Sequence, residues 1–299
     1  MRKGIPNVRG RTAVITGGAN GIGRALARGL LRRGAHLALV DLDEENLAAL
    51  ARQLQHDAPG RIISTHIVDV ADRETMRALA QRVHDAHGGV DLLINNAGIG
   101  YEGAFQQTTL ETWDHIIGVN LWGVIHGCHF FLPLLARAEQ GHIVNLSSLF
   151  GYTGMAGQTA YCTTKYAIRG LSESLWEDLR DTSVGLTVVH PGSVATGIMK
   201  AAQGDDPELM ATLADWYEKN AMSPDRAADR IIAAVERGAE RLLISPEAVL
   251  VDVVKRLAPT FGNRAVCELI LRVLGLSHMR EQRRTQWAQT MLEGPLPWE

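Results

Sequence analysis

A glycine run framed by a strand on one side and an amphipathic helix on the other restricts this chain more than any other feature. Residues 12–16 read TAVIT, a short apolar and β-branched run, and Gly17, Gly18, Ala19, Asn20, Gly21, Ile22 and Gly23 follow directly. Beyond them ALARGLLRRG carries apolar residues at helical spacing and closes on Gly34, a natural helix stop. A strand that turns into a helix through glycines brings backbone N–H groups and the positive end of a helix dipole to one point. The missing side chains let a pyrophosphate come close. The expected class is therefore α/β with a dinucleotide-binding opening.

The rest of the chain keeps that alternation. AHLALVD, RIISTHIVDV, VDLLINNAG, GHIVNLSS and VGLTVVH read as strands, with a last short one at RLLIS, and helical patterns separate them. One helix is expected from about residue 109 to 137. The pattern predicts a single Rossmann-type doubly wound parallel sheet flanked by helices, with extra C-terminal helices. Repeats and low-complexity linkers are absent from the sequence, so residues 1–299 are read as one domain. Within it a core spans 10–245, a substrate lid 196–220 and a helical extension 246–299.

Composition narrows the function classes. The chain is 46% hydrophobic and 21% charged with a net charge of -3, which disfavours nucleic acid as the main partner. Apolar runs fall short of the roughly 20 residues that span a bilayer. The start moves straight into a strand and a glycine loop, unlike a signal peptide. Three cysteines (Cys128, Cys162, Cys267) lack CxxC spacing, which suits a reduced, cytoplasmic setting. Cys162 reads as a packing residue. The pairs His84/His87 and His126/His129 lack partners for a metal site, so no metal is expected.

Two places carry chemistry. Residues 148–165 read SLFGYTGMAGQTAYCTTK. Tyr161 and Lys165 are four apart, so on a helix they share a face. An ammonium beside a phenol favours the phenolate, which should pull the tyrosine below its ordinary pKa of about 10 and ready it for proton transfer near neutrality. Ser148 places a hydroxyl where an apolar strand leaves the sheet. The other place is the end of the second strand, where Asp41 suits the paired hydroxyls of an adenosine ribose and would repel a 2′-phosphate. A helix N-cap is the alternative role for Asp41, although Asp43 serves that better. Arg24 is the one residue that pulls towards NADP, and it is expected on the outer helix face. Asn95, Asn96, Ala97 and Gly98 end a strand where a cofactor crosses the sheet edge. Asn120 lies in the apolar setting GVNLWGVI. Its amide is read either as a deliberate polar device or as a structural bond to a neighbouring loop.

Taken together, TGGANGIG at 16–23, Asp69, NNAG at 95–98, Asn120, Ser148, Tyr161, Lys165 and PGSVAT at 191–196 resemble the short-chain dehydrogenase/reductase family over about residues 10–245. The resemblance implies hydride transfer between an alcohol carbon and nicotinamide, with Tyr161 exchanging the hydroxyl proton. It further implies that Lys165 tunes Tyr161 and holds the nicotinamide ribose, that Ser148 rather than Ser147 binds the substrate oxygen, and that Asn120 holds a water linking Lys165 to solvent. By the same resemblance Thr16, Gly17, Asn20, Gly21, Ile22 and Gly23 form the cofactor loop. Asp69 and Val70 reach the adenine, Asn96 stabilises the central sheet beside Ala97 and Gly98, and Pro191, Gly192, Val194 and Thr196 meet the nicotinamide end. NAD is the expected cofactor, NADP the lesser alternative, and a homodimer or homotetramer the expected assembly.

The segment after Pro191-Gly192 carries Ile198, Met199, Leu209, Met210, Leu213, Trp216 and Tyr217 and reads as a helical lid over an apolar compound. Leu149, Phe150, Met155 and the loop at 99–105 would form the opposite wall. A lipophilic or aromatic secondary alcohol or its ketone, of steroid size, is the expected substrate; plain lid packing is the alternative. The tail carries the amphipathic AVLVDVVKRLAP and RAVCELILRVLGL with Arg272, Arg280, Arg283 and Arg284. It is read as helices on the substrate mouth or a neighbouring subunit rather than a peripheral membrane contact, because prolines and acids interrupt its apolar face. Two other functions are weighed: an NADPH-dependent ketoreductase on acyl or polyketide thioesters, against which Asp41 counts, and a catalytically silent redox sensor, against which the intact set Ser148, Asn120, Tyr161 and Lys165 counts.

Overall fold

The TAVIT run is buried at all five positions, as a strand covered by helices on both faces must be. The computed structural model describes residues 3–198, 203–204 and 207–274. In chain order the elements are β1 (Thr12–Thr16), α1 (Gly21–Arg32), β2 (His36–Asp41), α2 (Glu44–Asp57), β3 (Ile63–Ile67), α3 (Arg73–His87), β4 (Leu92–Asn95) and β5 (Tyr101–Glu102). Then come α4 (Leu110–Ile117), α5 (Gly123–Leu135), β6 (Gly141–Leu146), α6 (Thr159–Asp178), β7 (Val184–His190) and β8 (Gln203–Gly204). The chain continues with α7 (Pro207–Asn220), α8 (Pro224–Glu236), β9 (Arg241–Leu243), α9 (Pro246–Leu257) and α10 (Pro259–Val273).

Seven strands form one parallel sheet in the order β3-β2-β1-β4-β6-β7-β9. The order reverses between β1 and β4, and the crevice at the strands' carboxyl ends there is where open α/β sheets bind ligands. One face is covered by α1 and α8, whose Leu26, Leu30, Ile231 and Ile232 are buried. The other is covered by α3, α5 and α6 through Met76, Leu79, Phe131 and Ile168. The short pair β5–β8 ties the chain entering the lid to the loop after β4.

Four sequence expectations need correction. The single helix expected over 109–137 is interrupted by a π-turn at Gly118–Trp122, between α4 and α5. The widened turn coincides with Asn120, which bonds the loop after β4 instead of joining the regular helix packing. Apolar runs are expected to fall short of a bilayer span, yet by length and composition Leu110–Leu135 could cross a membrane; half of its most apolar window is buried inside the fold. The prolines of the extension do not interrupt its apolar face: Pro246 and Pro259 open α9 and α10, where a missing N–H is harmless. Strand β3 also stops short of Asp69, whose carboxylate accepts from the Ala71 N–H (2.9 Å) and starts the turn into α3.

Candidate active site

The crevice opens into a cavity of about 1680 Å³, larger than the roughly 300–1,000 Å³ of an ordinary ligand pocket. Its two ends differ in chemistry. One is built from the glycine loop and acidic strand ends; the other is apolar and built from α7, α9 and α10.

At the first end, Gly17 (φ +64°) and Gly21 (φ +51°) adopt the left-handed backbone that favours glycine. A Cβ on Gly23 would stand 1.9 Å from the Gly17 carbonyl oxygen, so α1 can start this close only without a side chain. Asn96 closes the loop from below, donating to the carbonyls of Thr16 and Gly17 (2.9 Å each). Thr16 Oγ1 accepts the N–H groups of Asn96 and Ala97 (3.0 and 3.1 Å). Thr16 and Gly23 therefore support the cavity from beneath; Gly17, Asn20, Gly21, Ile22, Asn96, Ala97 and Gly98 line it. Asn20, at the N-cap of α1, makes no side-chain cap bond and donates instead to Asp43 (2.9 Å); the first turn of α1 holds no acid. The first N–H groups of α1 thus face the cavity without a side-chain acceptor, and the loop and helix start fit the phosphates of a dinucleotide.

The Asp41 carboxylate lines the cavity and is fixed by the N–H groups of Ala19 (2.9 Å) and Asp43 (3.1 Å). Asp43 takes the capping role, accepting from the Asn46 N–H at 3.1 Å. Asp69, Val70, Pro191, Gly192, Val194 and Thr196 also line the cavity, and Thr196 packs on Gly21. Arg24 lies outside that lining.

Between the two ends sit the hydroxyls and the amine. Ser148 leaves β6 with its Oγ accepting from the Phe150 N–H (3.1 Å), and both its side chain and the Tyr161 ring line the cavity. Its neighbour Ser147 is used differently, donating to the Lys165 carbonyl (2.8 Å) and so anchoring α6. Lys165 is buried, donates to the Leu146 carbonyl (3.1 Å) and stands 5.4 Å from the centre of the Tyr161 ring. The expected depression of the tyrosine pKa is not what this geometry gives. Burial pushes the phenol up, the polar Ser148 hydroxyl offsets part of that, and Tyr217 and Cys162 add to the rise. Burial also lowers Lys165 to about 8, from 10.5. Desolvation outweighs the ammonium because the amine lies over the ring rather than against the oxygen.

The side chain of Asn120 is likewise committed elsewhere. Its Oδ1 accepts from the Ile99 N–H (2.8 Å), and its Nδ2 donates to the Ile99 carbonyl (2.9 Å) and towards Thr164 Oγ1 (3.4 Å). Of the two readings left open by the sequence, the structural bond to a neighbouring loop is the one seen. A Cβ on Gly98 would stand 3.1 Å from Asn120 Oδ1 and 3.5 Å from Lys165 Nζ, so that glycine lets the amide and the amine approach each other.

At the apolar end Leu149, Phe150, Met155, Ile198 and Trp216 line the wall, and the Phe150 ring meets Tyr161 edge-on at 6.2 Å. Met199, Arg280, Arg283 and Arg284 lie outside the described residues. The extension also supplies wall residues that the sequence reading did not name: Val251, Val254, Val266, Ile270 and Leu274. Leu271 and Leu274 pack on Leu209 and Leu213 of the lid. The spacing of Val251 and Val254 on one helix face carried that signal; which face met the cavity depended on the turn at Pro259.

The short chain dehydrogenase family model matches residues 11–207. The chain belongs to that family. Among curated relatives, the oxidoreductase SadH of Mycobacterium tuberculosis is 39% identical over 266 residues, covering 88% of this chain and 96% of SadH. Among solved structures, a short-chain dehydrogenase/reductase from Burkholderia phymatum in complex with NAD is 30% identical with a TM-score of 0.78, covering 85% of this chain and 96% of that one. An alcohol dehydrogenase from the archaeon Thermococcus sibiricus complexed with 5-hydroxy-NADP is 28% identical with a TM-score of 0.68, covering 78% and 95%. This short-chain dehydrogenase is thus an oxidoreductase whose relatives bind nicotinamide dinucleotides of both kinds.

Proposed function

We propose that the protein interconverts a lipophilic secondary alcohol, of steroid-like bulk, and its ketone, with NAD preferred over NADP. The observation that carries this reading is the Ser148–Tyr161 hydroxyl pair over buried Lys165, at the junction of the glycine-loop and apolar ends of one cavity. A bound nicotinamide dinucleotide would supply hydride acceptance or donation beside that junction. The loop at 17–23 and the start of α1 would hold its phosphates. Asp41, pinned by two N–H groups, would accept from the adenosine ribose hydroxyls and disfavour a 2′-phosphate. Tyr161 would take or return the proton of the substrate hydroxyl, and Ser148 would hold the substrate oxygen where charge changes in the transition state. Lys165, still charged at neutral pH, would hold the nicotinamide ribose and lend the phenol a positive field.

The apolar wall from Leu149, Met155, Trp216, Val251 and Val266 supports a hydrocarbon-rich substrate. A homo-oligomer belongs to the same reading, supported by exposed Leu110, Trp122 and Tyr166 on α4, the π-turn and α6. The test is a panel of secondary alcohols and steroids followed at the NADH absorbance, each run with NAD and with NADP. Turnover of bulky apolar alcohols at least tenfold better with NAD is expected; small polar alcohols or an NADP preference would overturn it.

A further inference from the structure

The cavity lining is acidic on balance. Asp41, Asp43, Asp69, Glu102 and Glu247 bring five carboxylates to it, and among the described residues Lys165 and Arg226 are its only lysine and arginine. Glu247, for its part, accepts from the Ser193 N–H (3.1 Å). The diphosphate of a dinucleotide is itself anionic, so a lining of this sign repels it unless a cation stands nearby. Lys165 is buried against the Leu146 carbonyl beside Tyr161, at the nicotinamide end in the reading above. Arg226 is the remaining cation.

Helix packing fixes where Arg226 stands. It lies in the first turn of α8, which packs on α1 with both helices running the same way and in step. A Cβ on Gly29, eight residues after Gly21, would stand 2.8 Å from Ile232 Cδ1, eight residues after Pro224. Arg33 Nε, twelve after Gly21, meets Glu236 Oε1, twelve after Pro224, at 3.5 Å. Pro224 therefore stands beside Gly21, and Arg226 comes level with Gly23 in the first turn of α1. The start of α8 is also held to the loop 191–196. The Met222 N–H donates to the Ser193 carbonyl (3.0 Å), and the Ala195 N–H donates to the Met222 carbonyl (2.8 Å). Thr196 of that loop packs on Gly21.

The Arg226 side chain is exposed, and among the described residues its guanidinium has neither a hydrogen bond nor an ion pair; only its backbone N–H is used, by the Ser223 cap (3.4 Å). Arginines close to it are committed. Arg33 pairs with Asp229 (3.2 Å), and Arg230 donates to the Ile244 carbonyl. A cation in a first turn also faces the positive end of the helix dipole, where an acid is favoured. Arg226 is thus placed against the local preference, and an anion bound between α1 and α8 would relieve the conflict. A guanidinium suits a diphosphate because its planar fork takes two phosphate oxygens at once and its charge is fixed.

We propose that Arg226 is a cofactor-binding residue whose guanidinium meets the dinucleotide's diphosphate from α8, beside the glycine loop, and supplies the positive charge that the acidic lining lacks. This rests on the dinucleotide-binding reading above. It adds a contact from a second helix, beyond the residues 11–207 that the family model matches.

The experiment measures dissociation constants of NAD, ADP and adenosine for the full chain and for Arg226→Ala, Arg226→Lys and Arg237→Ala. NAD and ADP are followed by calorimetry, and adenosine by competition against NAD. Arg237 caps the far end of α8, about 16 Å away at 1.5 Å per residue, so its loss changes the net charge equally without reaching the diphosphate. At about 0.02 M salt, Arg226→Ala is expected to weaken NAD and ADP about tenfold, as one lost charge-assisted contact does, and to leave adenosine within about twofold. In about 0.5 M salt the NAD loss should shrink to about threefold, because the site is open to solvent. Arg226→Lys, which keeps the charge but not the fork, should stay within about threefold of the unsubstituted protein. Arg237→Ala should leave every ligand within about twofold. Without ligand, each unfolding midpoint should stay within about 1 °C, as for surface substitutions elsewhere.

An Arg226→Ala protein that binds NAD within about twofold of the unsubstituted one at low salt overturns the contact. So does an adenosine loss as large as that of ADP, an equal loss in Arg237→Ala, no recovery with lysine, or a midpoint lower by more than about 3 °C. If the unsubstituted protein binds NAD and these patterns fail, the Arg226 contact falls and the dinucleotide site stands. If neither NAD nor NADP binds it, both fall together.

Discussion

Replacing Asn120 with alanine removes the amide that holds the loop after β4. Asn120 is fully buried, and it pairs with both backbone groups of Ile99 at 2.8 and 2.9 Å. Thr164 Oγ1 keeps its bond to the Tyr161 carbonyl (2.8 Å), so two groups lose their partner. At about 1–3 kcal/mol for each buried group left unpaired, the loss would be roughly 2–6 kcal/mol. Ile99 lines the cavity and a water can enter the space that alanine leaves, which points to the low end, about 2–3 kcal/mol. With an unfolding entropy of about 2 cal/mol/K per residue, the 299 residues would lose roughly 4 °C in Tm. Urea denaturation should show a lower midpoint at constant slope, and KM for the alcohol should rise more than kcat falls. A stability loss under about 0.5 kcal/mol with a selective fall in kcat would refute the pinning role and restore the proton relay that the family resemblance implies.

Further outcomes follow from the same geometry. Lys165 is held at about 8 in the folded protein against 10.5 ordinarily, so the unfolded chain binds a proton that the folded one releases across that window. Stability should rise as pH goes from 8 to 10.5, and the charge costs most below pH 8; a gap of about 2.5 corresponds to roughly 3 kcal/mol. Lys165→Met should therefore gain about 2 kcal/mol at pH 7, after losing the bond to Leu146, while turnover collapses and the gain vanishes above pH 10.5. A less stable variant at pH 7 in chemical denaturation contradicts this. Gly23→Ala would place a Cβ 1.9 Å from the Gly17 carbonyl oxygen, a backbone clash that no side-chain rotation relieves. NAD binding should fall at least tenfold by calorimetry, and unchanged affinity would show that α1 can draw back.

The elements that the sequence made legible are those set by local pattern. TAVIT, the left-handed glycines and the cap at Asp43 depend on a few neighbouring residues, and they appear where the spacing places them. The alternation of strands and helices likewise carries the single parallel sheet, because parallel crossovers leave few alternatives; the order of its strands comes from the structure. What could not be read depends on contacts far apart in the chain. The π-turn at Asn120 answers to a loop some twenty residues earlier, and nothing in GVNLWGVI records that partner. The balance of forces on Tyr161 lies outside the local pattern for a similar reason. Helical spacing puts Lys165 on the right face, but the depth of burial and the direction of the ammonium come from packing against β6. Glu247 reads as an ordinary first-turn acid until α9 is seen to rest on Gly192.

The central claim is that the Tyr161 phenol exchanges the substrate proton next to a bound nicotinamide. The most direct measurement compares the unsubstituted protein with Tyr161→Phe, taking the rate of NADH formation from the best alcohol and the NAD dissociation constant on the same samples. The account predicts a rate lower by about 10²–10⁴-fold with NAD affinity within about threefold, because only the proton-exchanging oxygen is removed. A variant that keeps more than about a tenth of the rate contradicts it, since the loss expected of a general acid–base is far larger.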